Sequence, residues 1–352
     1  MPPLRLIRRA AVMTTRAGLL ALALAAFGAA GGCGSGTGAP PHKGTSPTTP
    51  EGSHLTGKIV FRRFLNSDHS SGALFVMTAD GTGVRQITHP PANAVDSLNG
   101  PPSPTPDGSA LIFDRSTPNA AGIFRIGSDG RGEREVPAPT GVPGDGWPAG
   151  SPDGAQIAVA RAWGHQDQFQ DLKTALYVLG IDGAHPRQVA NFGHGADVGG
   201  ATWSPDGKTI VFSAHNNGSG EPSDGSALFT VAANGGGLRR LTQWETKGQV
   251  TGPRFSPDGK TILFRIEPSG QDFGGDYWTI GRGGQDARQL THFGSDHMTA
   301  SATWSPDGSM ILFGDSGLGG NDDLYVMRAD GSDIQRLIRT PQWESAAVWL
   351  PR

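Results

Sequence analysis

The chain has 352 residues with 54 glycines and 27 prolines, a share that borders on that of disordered chains. Their placement excludes disorder for most of the length, because they recur at fixed intervals between apolar runs, as turns do in an all-β protein. With 29 Lys and Arg against 32 Asp and Glu, and four of the arginines within the first 16 residues, the rest of the chain is acidic, which argues against nucleic acid or an anionic lipid surface as partner. A single cysteine excludes an intramolecular disulfide.

Residues 1–32 read as a lipoprotein-type signal peptide. Arg5, Arg8, Arg9 and Arg16 make a positive start. Residues 17–30 are apolar but too few for a comfortable membrane span, which needs about 20. The run Ala30-Gly31-Gly32-Cys33 then resembles the lipobox of bacterial lipoproteins, with Ala30 where that motif usually has Leu. The resemblance implies that Cys33 carries the lipid and becomes the mature N-terminus, anchored to a bacterial membrane in the cell envelope or periplasm. Residues 33–55, rich in Gly, Ser, Thr and Pro, cannot bury enough surface to fold and act as a tether with a reach of about 25 Å.

From there to the end the chain repeats itself. Leu74-Phe75-Val76-Met77 returns as Ile123-Phe124-Arg125-Ile126, Leu176-Tyr177-Val178-Leu179, Leu228-Phe229-Thr230-Val231, Tyr277-Trp278-Thr279-Ile280 and Leu324-Tyr325-Val326-Met327, at intervals of 49, 53, 52, 49 and 47 residues. Each copy precedes a turn pair such as Asp80-Gly81 or Asn234-Gly235, which tolerates the positive φ of two-residue hairpins, and then a short run typified by Arg239-Arg240-Leu241-Thr242. A second hairpin turns at Ser151-Pro152-Asp153-Gly154, Ser204-Pro205-Asp206-Gly207, Ser256-Pro257-Asp258-Gly259 and Ser305-Pro306-Asp307-Gly308, with Thr105-Pro106-Asp107-Gly108 as a fifth copy. Pro at the second position and Gly at the fourth specify a type I turn.

Each unit is thus four antiparallel strands in about 50 residues, the length of a propeller blade. Five Pro-Asp-Gly turns against six Leu-Tyr-Val-Met runs fit a ring. The tail Ala346-Ala347-Val348-Trp349 supplies the strand missing before Lys58-Ile59-Val60-Phe61. The expectation is an all-β, six-bladed β-propeller over residues 56–352, closed by pairing of the C-terminal strand with the N-terminal blade. The recurring Trp-Ser-Pro-Asp-Gly-Lys and Arg-Leu-Thr elements resemble the PD40 (TolB-like) repeat. That resemblance implies a binding scaffold, since TolB is a periplasmic protein that recruits partners at its propeller.

Function is expected on the face away from the tight turns, where loops at 162–174, 213–226, 266–276 and 314–323 are long and varied. Asp167, Asp171, Glu221, Asp224, Glu267, Asp272, Asp276, Asp315, Asp322 and Asp323 make those loops acidic. The connections between blades add Asp96, Asp145, Asp197, Glu245, Asp296, His297 and Glu344 around the channel mouth. A ring of carboxylates there would attract a cation or a basic protein or peptide, so the partner is expected to be basic; no cofactor is required, and the protein is expected to be a monomer. Phe192, Trp244, Phe293 and Trp343 recur as packing between neighbours would. The competing reading is a hydrolase or lyase acting on sugar or peptide in the channel, with His194 and His297 as its candidates. Neither a zinc motif nor a hydrolase domain accompanies them in the sequence.

Overall fold

The computed structural model describes residues 55–351 except 119, 140–143, 164–172, 193–195, 217–224, 246–247, 269–274, 294–296 and 318–321. Cys33, the signal peptide and the tether up to residue 54 lie outside the described residues, as do Asp167, Asp171, His194, Glu221, Asp224, Asp272 and Asp296. Among the described residues every regular element is a β-strand.

The strands follow one another as antiparallel groups. The first comprises β1 (Lys58–Phe64), β2 (Gly72–Thr78) and β3 (Arg85–Gln86). The next has β4 (Val95–Asp96) and β5 (Ser103–Pro104), both paired to β6 (Ala110–Ser116), then β7 (Ala121–Gly127) and β8 (Arg134–Val136). Four-stranded groups follow: β9 (Gly144–Gly150) to β12 (Arg187–Asn191) through β10 (Gln156–Trp163) and β11 (Lys173–Gly180), then β13 (Ala196–Trp203), β14 (Thr209–Asn216), β15 (Ser226–Ala232) and β16 (Arg239–Arg240). After these come β17 (Gly248–Phe255), β18 (Thr261–Pro268), β19 (Asp276–Gly281) and β20 (Arg288–Gln289), and then β21 (Thr299–Trp304), β22 (Met310–Asp315), β23 (Asp323–Arg328) and β24 (Gln335–Ile338). The last strand, β25 (Glu344–Trp349), returns to pair antiparallel with β1, Val348 opposite Val60 and Glu344 opposite Arg63.

The Pro-Asp-Gly turns explain why these hairpins form. At 204–207 the Gly207 amide donates to the Ser204 carbonyl at 2.9 Å, and Ser204 Oγ donates to Asp206 at 2.5 Å. The Lys208 amide donates to the same carboxylate at 3.0 Å, while the Thr209 amide donates to Ser204 Oγ at 3.0 Å. Gly207, at φ 68°, occupies the left-handed region that a side chain disfavours. Hydrogen bonds of this kind, led by those from Thr105 and Ser204, hold Asp107 and Asp206 down at about 2. These acids serve the turns.

The apolar residues lie between groups, because strands such as β1 and β18 are apolar on both faces. Ile59, Phe61, Phe75 and Met77 pack with Met310, Leu312, Leu324 and Val326. Val60, Leu74 and Val76 pack on the opposite side with Leu111, Phe113 and Ile126. The outermost strand is fastened by the Leu-Thr pair: Thr88, Thr242 and Thr291 each accept an amide of the neighbouring strand, from Leu74, Leu228 and Tyr277 at 2.8–3.0 Å.

A candidate binding site on the innermost strands

The innermost strand of most groups carries an extra residue. The register slips between Gly199 and Thr202, Thr251 and Arg254, and Thr299 and Ala302, and opposite Ala158–Ala160 and Val60–Arg62. Positive φ accompanies these bulges at Trp147 (48°), Gly200 (60°), Gly252 (60°) and Ala346 (51°). For Trp147 and Ala346 that conformation costs roughly 1 kcal/mol or more, and bulges of this kind re-aim side chains next to functional sites. The Trp147 ring fits because two neighbours are glycines. A Cβ on Gly199 or Gly100 would stand 3.4 Å from it.

These strands, with the connection between β4 and β5, enclose a cavity of about 290 Å³ lined by Asn99, Trp147, Gly200, Thr251, Ala300 and Ala346, one from each group. Its charged lining is Arg62, Arg254, Arg265 and Glu267. A second cavity of about 320 Å³, toward the proline turns, is walled by Trp203, Phe255, Trp304 and Trp349 and shares Pro101 and Arg254 with the first.

The carboxylates expected at the channel mouth are mostly committed elsewhere. Asp96 and Asp145 accept bidentate pairs from Arg115 (2.6 and 3.2 Å) and Arg161 (2.7 and 2.7 Å), and Glu344 accepts from Arg63 at 2.8 and 2.5 Å. All three acids are buried, and each guanidinium lies over an aromatic ring, Phe124, Tyr177 or Phe75, at 4.5–4.9 Å. Desolvation raises Asp96 and Glu344 above the usual carboxylate range, with the arginines opposing it. An open ring of negative charge is therefore corrected at these positions: arginine on the next strand neutralises each acid at the same register.

The remaining candidates are dispersed. Asp197 stands opposite His215 in the β13–β14 register, and Glu245 bridges by its backbone to Ser226 at 2.8 and 3.0 Å. His297 Nδ1 lies 2.6 Å from Asp315 and its ring stacks on Phe293 at 4.7 Å. Asp315, Asp322 and Asp323, expected on exposed loops, are buried at 4, 8 and 7% exposure. Among the described residues no group of three or more His, Cys, Asp and Glu gathers as a metal site.

Burial gives Asp322 a measurable signature. Desolvation pushes its carboxyl up to about 7, with Arg62 opposing and Asp315 adding to the rise. As pH rises from about 4 to 7 the folded chain keeps a proton that the unfolded chain releases, so this group lowers stability across that window. Asp322→Asn removes that decline. Denaturant melts should find the variant more stable than the parent at pH 8, by up to about 4 kcal/mol, with the gap closing near pH 4.

Sequence reasoning missed Arg62, Arg254 and Trp147. A signal for Arg254 existed: at its place before Phe255-Ser256, the other five units carry Ser103, Ala149, Thr202, Thr303 and Val348.

Comparison with known proteins decides the architecture. No protein-family model matches the chain. The uncharacterized protein Atu1656 of Agrobacterium fabrum is 31% identical over 125 residues, which are 34% of this chain and span only 36% of that protein. TolB from Acinetobacter baumannii superimposes with a TM-score of 0.67 at 19% identity, over 85% of this chain and 68% of that one. The fold is a TolB-like β-propeller. The TolB-like propeller also resembles an oligogalacturonate lyase solved in complex with manganese, at TM-score 0.52 and 16% identity over 76% of this chain and 71% of the lyase. At these identities the likeness speaks for the fold alone.

Proposed function

We propose that this protein is an extracytoplasmic binding scaffold, tethered through a lipidated Cys33, whose six blades close as a ring through β25 and β1. A protein or peptide partner enters the axial cavity. The single observation carrying this reading is that cavity, to which every group contributes lining residues and around which strained bulges are concentrated. TolB-like neighbours favour a periplasmic scaffold that engages proteins. The basic partner expected from the sequence is replaced at the axis by one with acidic character, because three arginines and a single glutamate line it. An enzymatic use of the same scaffold has one observation in its favour, the His297–Asp315 pair, which orients an imidazole as a general base requires.

The test is a photo-crosslinking residue at Ser301, which lines the cavity, compared with one at Leu238, which is 44% exposed. In living cells the cavity position should yield a discrete adduct that the exposed position does not. Cys33→Ser should shift protein and adduct together from the membrane to the soluble fraction. Adducts from Leu238 alone would move the binding surface off the axis, and unchanged membrane retention would remove the anchor.

A further inference from the structure

The arginines around the axial cavity are not equivalent. Arg265 is committed, donating to the Glu267 carboxylate and the Thr299 carbonyl. Arg62 spreads its donors over the carbonyls of Ser97 (2.7 Å) and Leu98 (3.1 Å) and the Ser345 hydroxyl (2.6 Å). Asp322 and Asp114 offset part of its charge through space.

Arg254 has neither arrangement. Its Nη1 donates to Thr202 Oγ1 at 2.9 Å and to the Pro253 carbonyl at 3.0 Å, while Nε and Nη2 make no hydrogen bond among the described residues. No carboxylate there pairs with it. Burial pushes its guanidinium down to about 10, and no acid opposes the shift. Its Nη2 reaches across the axis, 3.8 Å from where a Cβ on Gly100 would stand.

Two comparisons within the molecule turn this into a functional statement. The equivalent position is Thr202, Thr303, Val348 or Ala149 in other units, so the fold does not require a cation there. A half-buried guanidinium without a counter-ion is kept at a cost, and folds retain such groups where function uses them. The Nε/Nη2 edge left over on Arg254 is also the edge with which Arg161 grips Asp145 at 2.7 and 2.7 Å and Arg115 grips Asp96 at 2.6 and 3.2 Å. That fork is matched to the two oxygens of a carboxylate.

We infer that Arg254, assisted by the charge of Arg62, forms a carboxylate-binding site between the two axial cavities. The inference rests on the axial cavity being the binding site and adds the chemistry of what enters it. Trp147, braced by Gly100 and Gly199, supplies a flat apolar wall for the ligand's carbon frame. A volume of about 290 Å³ lies at the small end of ligand sites and suits a small acid or the tip of one acidic side chain.

The experiment is calorimetric titration of the full chain in detergent with N-acetyl-glutamate and its uncharged diamide, N-acetyl-glutaminamide, and with the blocked tripeptides Gly-Glu-Gly and Gly-Gln-Gly. The glutamate compounds should bind at least tenfold more tightly than their neutral amides, and Arg254→Gln should weaken them by roughly tenfold or more. Arg254→Lys, which keeps the charge but loses the fork, should fall between. Melting of Arg254→Gln should be unchanged or shifted upward, because the uncompensated charge is gone. Tighter binding of the tripeptide assigns the carboxylate to a partner's side chain, and tighter binding of the free acid assigns it to a small molecule. Equal affinity for acid and amide overturns the site, as does parent-like binding by Arg254→Gln or no heat from any carboxylate at millimolar concentration. A variant melting well below the parent would make Arg254 structural and overturn it too. If the Ser301 adduct forms while the carboxylates fail to bind, the axial partner stands and only the acid assignment falls.

Discussion

A chain ending at residue 343 is expected to lose its cooperative fold, not to fray one strand. β25 is the partner of β1, and its removal uncovers Ile59 and Phe61, both without solvent exposure in the intact chain. It also deletes the buried Ala346, together with Ala347, Trp349 and Leu350 of the two clusters flanking the first group. Arg63 loses Glu344 and Arg62 loses the Ser345 hydroxyl, leaving two guanidinium groups short of partners. Each large apolar side chain contributes about 1.5–3 kcal/mol, so the combined loss approaches the 5–15 kcal/mol that holds a typical domain together. Circular dichroism melts should show no cooperative transition, or one lowered by tens of degrees. A truncated protein that melts within a few degrees of the parent would mean the seam contributes little.

The second large effect comes from one carboxylate. Asp145→Ala strands Arg161, whose side chain is 5% exposed and has Asp145 as its acid partner. Breaking a buried pair from one side costs about 3–5 kcal/mol, and a urea midpoint should fall accordingly. Replacing both residues by leucine should recover most of the loss, since the pair's net worth is small compared with the cost of an orphaned charge. Asp96→Ala should be milder, because Arg115 keeps Glu133 at 2.6 Å. Equal losses in the two single variants would contradict the pairing described here.

The fold was legible because its turns are chemical. Ser-Pro-Asp-Gly specifies hydrogen bonds within six residues, so every copy announces a hairpin without reference to the rest of the chain. The pairing of the tail with β1 followed from the same periodicity. The site was less legible, for three physical reasons. Bulges at Trp147 and Ala346 place ordinary residues in a left-handed conformation that no turn signal marks. The fate of Asp96, Asp145 and Glu344 depends on an arginine one strand away, which only the register brings opposite. Asp322 and Asp323 sit in a Gly-rich stretch that reads as solvated, yet both are buried in the structure. Arg254 was visible as a departure from its repeat, a signal that a search for shared motifs passes over.

Hydrogen exchange at the seam tests the central claim of a closed ring most directly. The Leu350 amide donates to the Lys58 carbonyl at 2.8 Å and the Phe64 amide to the Trp343 carbonyl at 3.0 Å, at opposite ends of the β1–β25 ladder. In a closed ring both should exchange only through global unfolding, as slowly as the fully buried Ile262 of β18, which is paired on both sides. Seam amides exchanging orders of magnitude faster than Ile262 would show an open sheet, and with it an axis unable to hold the cavity on which the proposed binding depends.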